Sequence, residues 1–552
     1  MNAIAIGLIC SVFASVPGLI QSHIELERPL FVLGLGIFAS LTQYLYFRRF
    51  PERTRAYDGV ADLFIFIHSR LPEDTWVRWF YRAGASLLLH LFGAGVGVEG
   101  VAAEASQSYT LASRSSAELW NENRRRTDIA SIIAGSIAAV FQSPFAAVVL
   151  SLEVGAGGRT QSAILSAVSG YAGALFISQK LSLELEWIPY FQSLPAGEFR
   201  WALVPVVGAL GGVLAFLLVR GLRWFQESVV DLFRDRIAFR PLLGALILSA
   251  VLALHPQIQG APLVSLTALT MTAHSIDTQA AFFLAKVLML ATVLGCFGTI
   301  GIFWPLFMIG ASFGLMFLTG VFGIFVGAAA LWAGVLGAPI AAGVLAYEMT
   351  RNWKLMVAAL IAGYIANEMR RFFKQKPLVH RDLEARGLFL LDGRSASVLS
   401  SISVRDAMVA DHETVYEHDL VRELSEKFLN SRHPFLPVVN RSGAYVGLLT
   451  LDLIQEGLSI ATGSDAFFEV KDLLYKSASS QPKLKTVLDT DTLSMTSGVF
   501  GDHPCVAVLN AEGKVVGLLF SYAVRAAYDR EVARRSLADS RMTESLRRKG
   551  KE

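Results

Sequence analysis

The chain has 552 residues, 53% of them hydrophobic and only 17% charged, a balance that fits a polytopic membrane protein and excludes an ordinary soluble enzyme. Its net charge of +3 is too small to suggest a nucleic-acid partner. Three cysteines, Cys10, Cys296 and Cys505, lie far apart without metal-ligand spacing or a disulfide framework, which fits reduced thiols.

Apolar stretches that span or partly span a bilayer fall near 3–20, 29–47, 83–103, 128–151, 162–179, 201–219, 240–254, 280–319, 321–348 and 353–369. Residues 1–20 have no Lys or Arg in front, as a signal peptide would require, so they are expected to form the first membrane helix with little room for another ahead. Several stretches contain internal Gly or Pro, which predicts helices shorter than a full crossing. Basic loops lie at Arg48-Arg49, Arg53-Thr54-Arg55, Arg124-Arg125-Arg126 and Arg370-Arg371. The last of these, read by the positive-inside rule, places the tail in the cytoplasm.

The stretch 83–103 carries Glu99, flanked by Gly95, Gly97 and Gly100. An ionisable group at membrane depth is functional by default. An ionised carboxylate can compete for an anion site and leave it when protonated, so one event can both gate an anion and carry a proton. Glu104 stands in the same run, and the sequence does not decide whether it faces a partner subunit or water. An internal repeat follows. Pro144 precedes Glu153 by nine residues, in Val140-Phe141-Gln142-Ser143-Pro144-Phe145-Ala146-Ala147, and Pro339 precedes Glu348 by the same nine, in Val335-Leu336-Gly337-Ala338-Pro339-Ile340-Ala341-Ala342. Matched Pro-interrupted helices in two halves mark a duplicated transporter fold with its site where the halves meet. Between them, Gly295, Gly298 and Gly301 lead into Gly301-Ile302-Phe303-Trp304-Pro305, inside an apolar run from Val287 to Ala330 without a charged side chain. A glycine-loosened backbone entering a helix N-terminus inside a membrane offers unpaired N–H groups to an anion.

Beyond Gly387 the chain reads as a soluble domain with a period of 70. His433-Pro434-Phe435-Leu436-Pro437-Val438-Val439-Asn440 leads to Gly443 and Val446-Gly447-Leu448-Leu449, and His503-Pro504-Cys505-Val506-Ala507-Val508-Leu509-Asn510 leads to Gly513 and Val516-Gly517-Leu518-Leu519. Each unit is expected to be a strand, a Gly turn and a second strand, preceded by a helix-like stretch at Asp419–Asn430 or Lys483–Phe500.

The first 380 residues resemble the CLC chloride channels and chloride/proton antiporters, and the tail resembles a pair of CBS modules. Gly97-Val98-Glu99-Gly100 is similar to the family's gating-glutamate motif G-x-E-G-P. The run from Ala134 to Glu153 is similar to its small-residue helix ending in F-x-x-P and Glu. Gly301 to Pro305 is similar to G-x-F-x-P, and Ala338-Pro339 through Glu348-Met349-Thr350 to the next helix and its E-M-T turn. Lys376-Pro377-Leu378 resembles the entrance to the last helix. The resemblance implies an all-α polytopic membrane domain with inverted repeats and broken helices over 1–380, and a linker over 381–401. It also implies an α/β tandem CBS module over 402–460 and 467–535, ending in a polar tail over 536–552. It further implies chloride or another small anion and protons as partners, and a homodimer in the lipid bilayer.

Carried over residue by residue, the gate is Glu99 and the backbone donors come from Gly301, Ile302 and Phe303. The family's two hydroxyl donors to the central chloride fall on Asp58, within Tyr57-Asp58-Gly59-Val60-Ala61, and on Val379; the Arg and Pro of the gating motif fall on Val98 and Val101. Val379 has no hydroxyl. An ionised Asp58 would oppose a neighbouring anion by on the order of several kcal/mol at an effective dielectric near 20 and about 4 Å. The inner proton-relay glutamate of the antiporters finds its candidates in Glu184 and Glu186. CBS pairs often bind adenine nucleotides through a Thr and an Asp three residues later; here Thr450 is followed by Asp452 after two.

The leading expectation is therefore a CLC-type anion transport protein, channel or anion/proton antiporter, gated by Glu99 with CBS regulation. Asp58 and Val379 motivate a second, a transport-altered scaffold sensing a ligand through its tail. A CBS-regulated divalent-cation channel would want a ring of acidic residues around a pore, which the sequence lacks. No P-loop, paired metal ligands or nucleophile elbow points to an enzyme.

Overall fold

A computed structural model describes residues 2–23, 29–49, 62–64, 76–114, 122–157, 159–181, 187–233, 236–255, 266, 269–270, 276–298 and 301–385, and in the tail 399, 402–420, 424, 427–428, 435–450, 453, 469–478, 486–496, 505–531 and 534. The chain forms two units, one running to Glu384 and one from Ala385.

The first unit is helical: α1 (Asn2–His23), α2 (Pro29–Arg49), α3 (Trp76–Leu91), α4 (Val98–Ser113), α5 (Glu122–Phe141), α6 (Pro144–Glu153), α7 (Thr160–Lys180), α8 (Val204–Leu232), α9 (Arg240–Leu254), α10 (Ile276–Thr292), α11 (Phe303–Leu315), α12 (Gly320–Leu336), α13 (Pro339–Thr350), α14 (Trp353–Phe372) and α15 (Leu378–Ala385). Among the described residues, three segments are long and apolar enough to cross a membrane: Thr160–Lys180, Trp201–Leu232 and Ile276–Phe297. Four of the expected stretches are broken, as their internal Gly and Pro predict. The stretch 83–103 breaks at Phe92 to Gly97, 128–151 at Gln142-Ser143, 280–319 after the π-helical turn Val293–Phe297, and 321–348 at Gly337-Ala338. The local chemistry accounts for the breaks. Gly298 and Gly337 end their helices in the left-handed conformation, at φ of 66° and 77°. Pro144, Pro305 and Pro339 stand in first turns, where the missing N–H costs nothing. α15 runs past residue 380, into the stretch expected as linker.

α12 is apolar on all sides and buried from Val321 to Leu336, so it forms the centre of the unit. α11 lies directly against it, because Gly310 faces Gly327 and Ala328 with no room for a side chain. The internal repeat has a physical form. The Glu348 carboxylate accepts from Phe145 N (3.2 Å) and Ala146 N (2.7 Å), and the Glu153 carboxylate accepts from Ile340 N (3.1 Å) and Ala341 N (2.7 Å). Each helix thus caps the other's N-terminus with a carboxylate near its own C-terminus, so α6 and α13 run antiparallel, as inverted repeats require.

The tail unit holds two three-stranded sheets, β1 (Val415–Tyr416), β2 (Phe435–Val439) and β3 (Tyr445–Thr450), then β4 (Thr486–Leu488), β5 (Cys505–Leu509) and β6 (Val515–Phe520). The repeat extends to register. Phe435 pairs with Thr450 and Cys505 with Phe520, and each hairpin carries its irregularity at the same place, Val438/Val439 and Val508/Leu509. In each turn an Asn side chain takes the backbone N–H four residues on: Asn440 from Ala444 and Asn510 from Lys514, both at 2.9 Å. Gly443 and Gly513 supply the positive φ. The stretch Lys483–Phe500 corrects the expectation of a helix: its described part opens as β4, parallel to β5, before a short 3₁₀ turn Leu493–Thr496. β1 pairs parallel to β2 in the same way. Asp419–Asn430 lies mostly outside the described residues.

Candidate functional site

Two broken loops meet at the site. Gly97 N, just before α4, donates to Gly301 O at 3.0 Å, just before α11. The approach depends on bare backbone: a Cβ on Gly301 would collide with the Gly97 carbonyl, and one on Gly97 with the Glu99 carboxyl group. Glu99, in the first turn of α4, folds back across this junction. Its Oε1 accepts from Phe303 N (2.9 Å) and Trp304 N (3.1 Å), the first residues of α11. These N–H groups have no intrahelical partner and carry the positive end of the helix dipole.

Glu99 is fully buried, and its Oε2 has no protein hydrogen-bond partner. The carboxylate therefore sits where a helix N-terminus would hold a free anion. Its surroundings are aromatic and fixed. Trp332 Nε1 donates to Phe303 O at 3.0 Å, Trp304 stacks on Phe307 with centroids 5.2 Å apart, and Phe141 lies 5.6 Å from Trp304 and 5.7 Å from Trp332. A charge that left this place would exchange aimed N–H donors for an apolar wall.

The Glu99 carboxylate takes the N–H groups of Phe303 and Trp304, and the Ile302 carbonyl starts the helix by accepting from Leu306 N at 3.0 Å. Val379 is buried at the start of α15 and offers no hydroxyl. Asp58, Glu184, Glu186 and Asp452 lie outside the described residues. Thr450 ends β3, where its Oγ1 accepts from Leu453 N at 3.4 Å.

Behind the site lies a cluster that sequence reading did not find. Arg78 donates to Asp62 at 2.7 Å and to the Tyr46 hydroxyl at 3.1 Å. Arg82 pairs with Asp62, reaches Glu104 at 3.3 Å and donates through Nη2 to Gly298 O at 3.0 Å. All four charged groups are buried. Glu104 therefore faces the interior of its own subunit, which answers the question its sequence position left open. Arg82 pins the turn that precedes α11 to the helix pair that carries Glu99. The available signal was Arg78 and Arg82 at i, i+4 spacing at the head of an apolar helix, an arrangement that puts both on one face.

A family model described as voltage gated chloride channel matches residues 35–371, and one described as CBS domain matches residues 404–458. The H(+)/Cl(-) exchange transporter ClcA of Vibrio campbellii (strain ATCC BAA-1116) is 26% identical over 406 residues, covering 66% of this chain and 83% of the relative. A eukaryotic CLC transporter structure shares the fold with a TM-score of 0.54 at 18% identity, covering 95% of both chains. A slow cyanobacterial Cl−/H+ antiporter does so with a TM-score of 0.55 at 20% identity, covering 70% of this chain and 96% of that one.

Proposed function

The chain belongs to the voltage gated chloride channel family, and from that premise we propose that it carries a small anion across a membrane in exchange for protons, with Glu99 as both gate and proton carrier. The observation that supports this is the Glu99 carboxylate on the N–H groups of Phe303 and Trp304. Ionised, Glu99 occupies the place where an anion would bind. Protonated, it gives up its charge–dipole attraction and swings away, and the freed N–H groups, with the backbone of Gly301 and Ile302, receive the anion. The proton moves with the side chain. Asp58 and Val379 stand where the family resemblance puts the remaining ligands of the anion, and Glu184 where it puts an inner proton relay. The subunit works as a homodimer, with its tail, two CBS modules over 402–460 and 467–535, in the cytoplasm. Thr450 and Asp452 are the tail's candidates for an adenine nucleotide.

The test is flux from purified protein in liposomes, with chloride, fluoride and nitrate compared and internal pH recorded. Anion efflux accompanied by proton uptake is expected. Val379, apolar where a hydroxyl would serve, favours the second reading, a scaffold with altered transport; flux absent for all three anions would decide for it.

A further inference from the structure

The end of the first unit carries a basic pocket that anion transport does not use. α8 and α14 pack side by side, and both change from apolar to charged at their C-terminal ends, α8 at Arg220 and α14 at Arg370. Beyond α14 the chain turns through Phe373 to Pro377 into α15. Between these segments lies a cavity of about 300 Å³ whose walls include Arg220, Lys374, Lys376 and Arg381. Its apolar side is Phe216, stacked on Phe373 with centroids 4.7 Å apart.

Three features distinguish this pocket from a solvated charged face. First, the loop is tied to the end of α14 by hydrogen bonds. Arg370 Nη1 donates to Gln375 O at 2.6 Å, Gln375 N donates to Arg370 O at 3.1 Å, and Lys374 holds a φ of 53°. Second, Gln375 is among the residues that line the cavity, and its amide oxygen and nitrogen lie buried beside it without a protein hydrogen-bond partner. A buried donor and acceptor left in this way calls for a polar occupant. Third, the cations crowd one another. Arg381 is held below the ordinary arginine range by burial first and then by Arg223 and Arg220, against the opposing pull of Asp382 and Glu227. Arg381 thus lies near two further arginines and two carboxylates, of which Glu227 is paired with Arg223 at 2.5 Å.

The level of the pocket identifies the occupant. Trp224 on α8 and Phe372 on α14 are 69% and 76% exposed, large aromatic groups at the point where each helix changes character. That is the place of the aromatic belt at a membrane–water interface. Basic pockets at this level between membrane helices hold lipid headgroups.

We propose that the pocket formed by Arg220, Lys374, Gln375, Lys376 and Arg381 binds the phosphate headgroup of an anionic phospholipid. The cations neutralise the phosphate, Gln375 takes its donor and acceptor positions, and the acyl chains lie along the exposed apolar faces of α8 and α14. The site does not depend on the anion pathway, so binding is read directly.

The test titrates the full-length protein, in a neutral detergent, with dioctanoyl phosphatidic acid, dioctanoyl phosphatidylcholine and inorganic phosphate, each followed by microscale thermophoresis. Phosphatidic acid is expected to bind saturably, at least about tenfold tighter than the other two. Arg220→Gln, Lys374→Gln and Arg381→Gln should each weaken it about fivefold, and the triple variant about 100-fold, since each cation near an anionic headgroup contributes on that order. Arg220→Lys and Arg381→Lys should keep most of the affinity. Lys374 is exposed, so Lys374→Gln carries the test if the triple variant does not fold. Equal binding of phosphatidic acid and phosphatidylcholine would overturn the proposal. So would inorganic phosphate binding as tightly as the lipid, which would make this a site for free anions, or unchanged affinity in the glutamine variants.

Discussion

At the scale of single residues the account rests on Glu99, Gly301 and Arg82. Glu99 was legible because a carboxylate between glycines in an apolar run has few other uses. Its partners were only partly legible, since the sequence does not show which N–H groups of the α11 N-terminus the side chain reaches. Gly301 is predicted to tolerate no side chain. Gly301→Ala drives its Cβ into the Gly97 carbonyl, and overpacking of this kind costs about 1–3 kcal/mol. A lowered unfolding temperature together with impaired flux should follow, whereas wild-type behaviour would mean that the two loops are not tied. Arg82 neutralises two buried carboxylates. Arg82→Leu leaves Asp62 and Glu104 without it and is expected to cost about 3–5 kcal/mol, read as thermal unfolding in detergent. Arg82→Lys should recover part of that loss. This cluster escaped sequence reading because its members come from five places: Tyr46, Asp62, the α3 arginines, Glu104 and the Gly298 carbonyl, which is 216 residues from Arg82.

At the scale of elements the equal Pro-to-Glu intervals in α6 and α13 announced a duplication, while the reciprocal capping appeared only in three dimensions. A repeat shows that two segments are alike, and says nothing of whether they touch. The matched geometry predicts matched energetics. Glu153→Gln and Glu348→Gln should each destabilise the protein by about 0.5–2 kcal/mol, the range for losing a charged cap at a helix N-terminus. Thermal unfolding of the two single variants checks this. A loss in one and none in the other would show that the reciprocity is not energetic. In the tail, the hairpins were legible from their repeated apolar runs and turn residues, and the leading strands were not. β1 has two residues and β4 three, too few to show a period, and their partners lie about twenty residues downstream.

At the scale of the whole molecule the fold class was legible because the breaks in the apolar stretches follow Gly and Pro, and because broken helices at membrane depth leave few architectures open. The helices present large apolar side chains outward, Leu217, Leu246 and Leu254 among them, as a lipid-facing surface does. The homodimer expected from the family should appear as two-step photobleaching of singly labelled protein in liposomes; single steps throughout would refute it. The measurement that bears most directly on Glu99 as gate and proton carrier compares wild type with Glu99→Gln in liposomes, recording anion flux and proton movement across a pH series. On the proposed reading, ionised Glu99 blocks the N–H groups of Phe303 and Trp304, and protonation frees them. Wild-type flux should therefore rise as pH falls and carry protons with it, while Glu99→Gln, fixed in the neutral form, should show pH-independent flux with no proton coupling. Proton-coupled, pH-dependent flux surviving in Glu99→Gln would contradict the assignment.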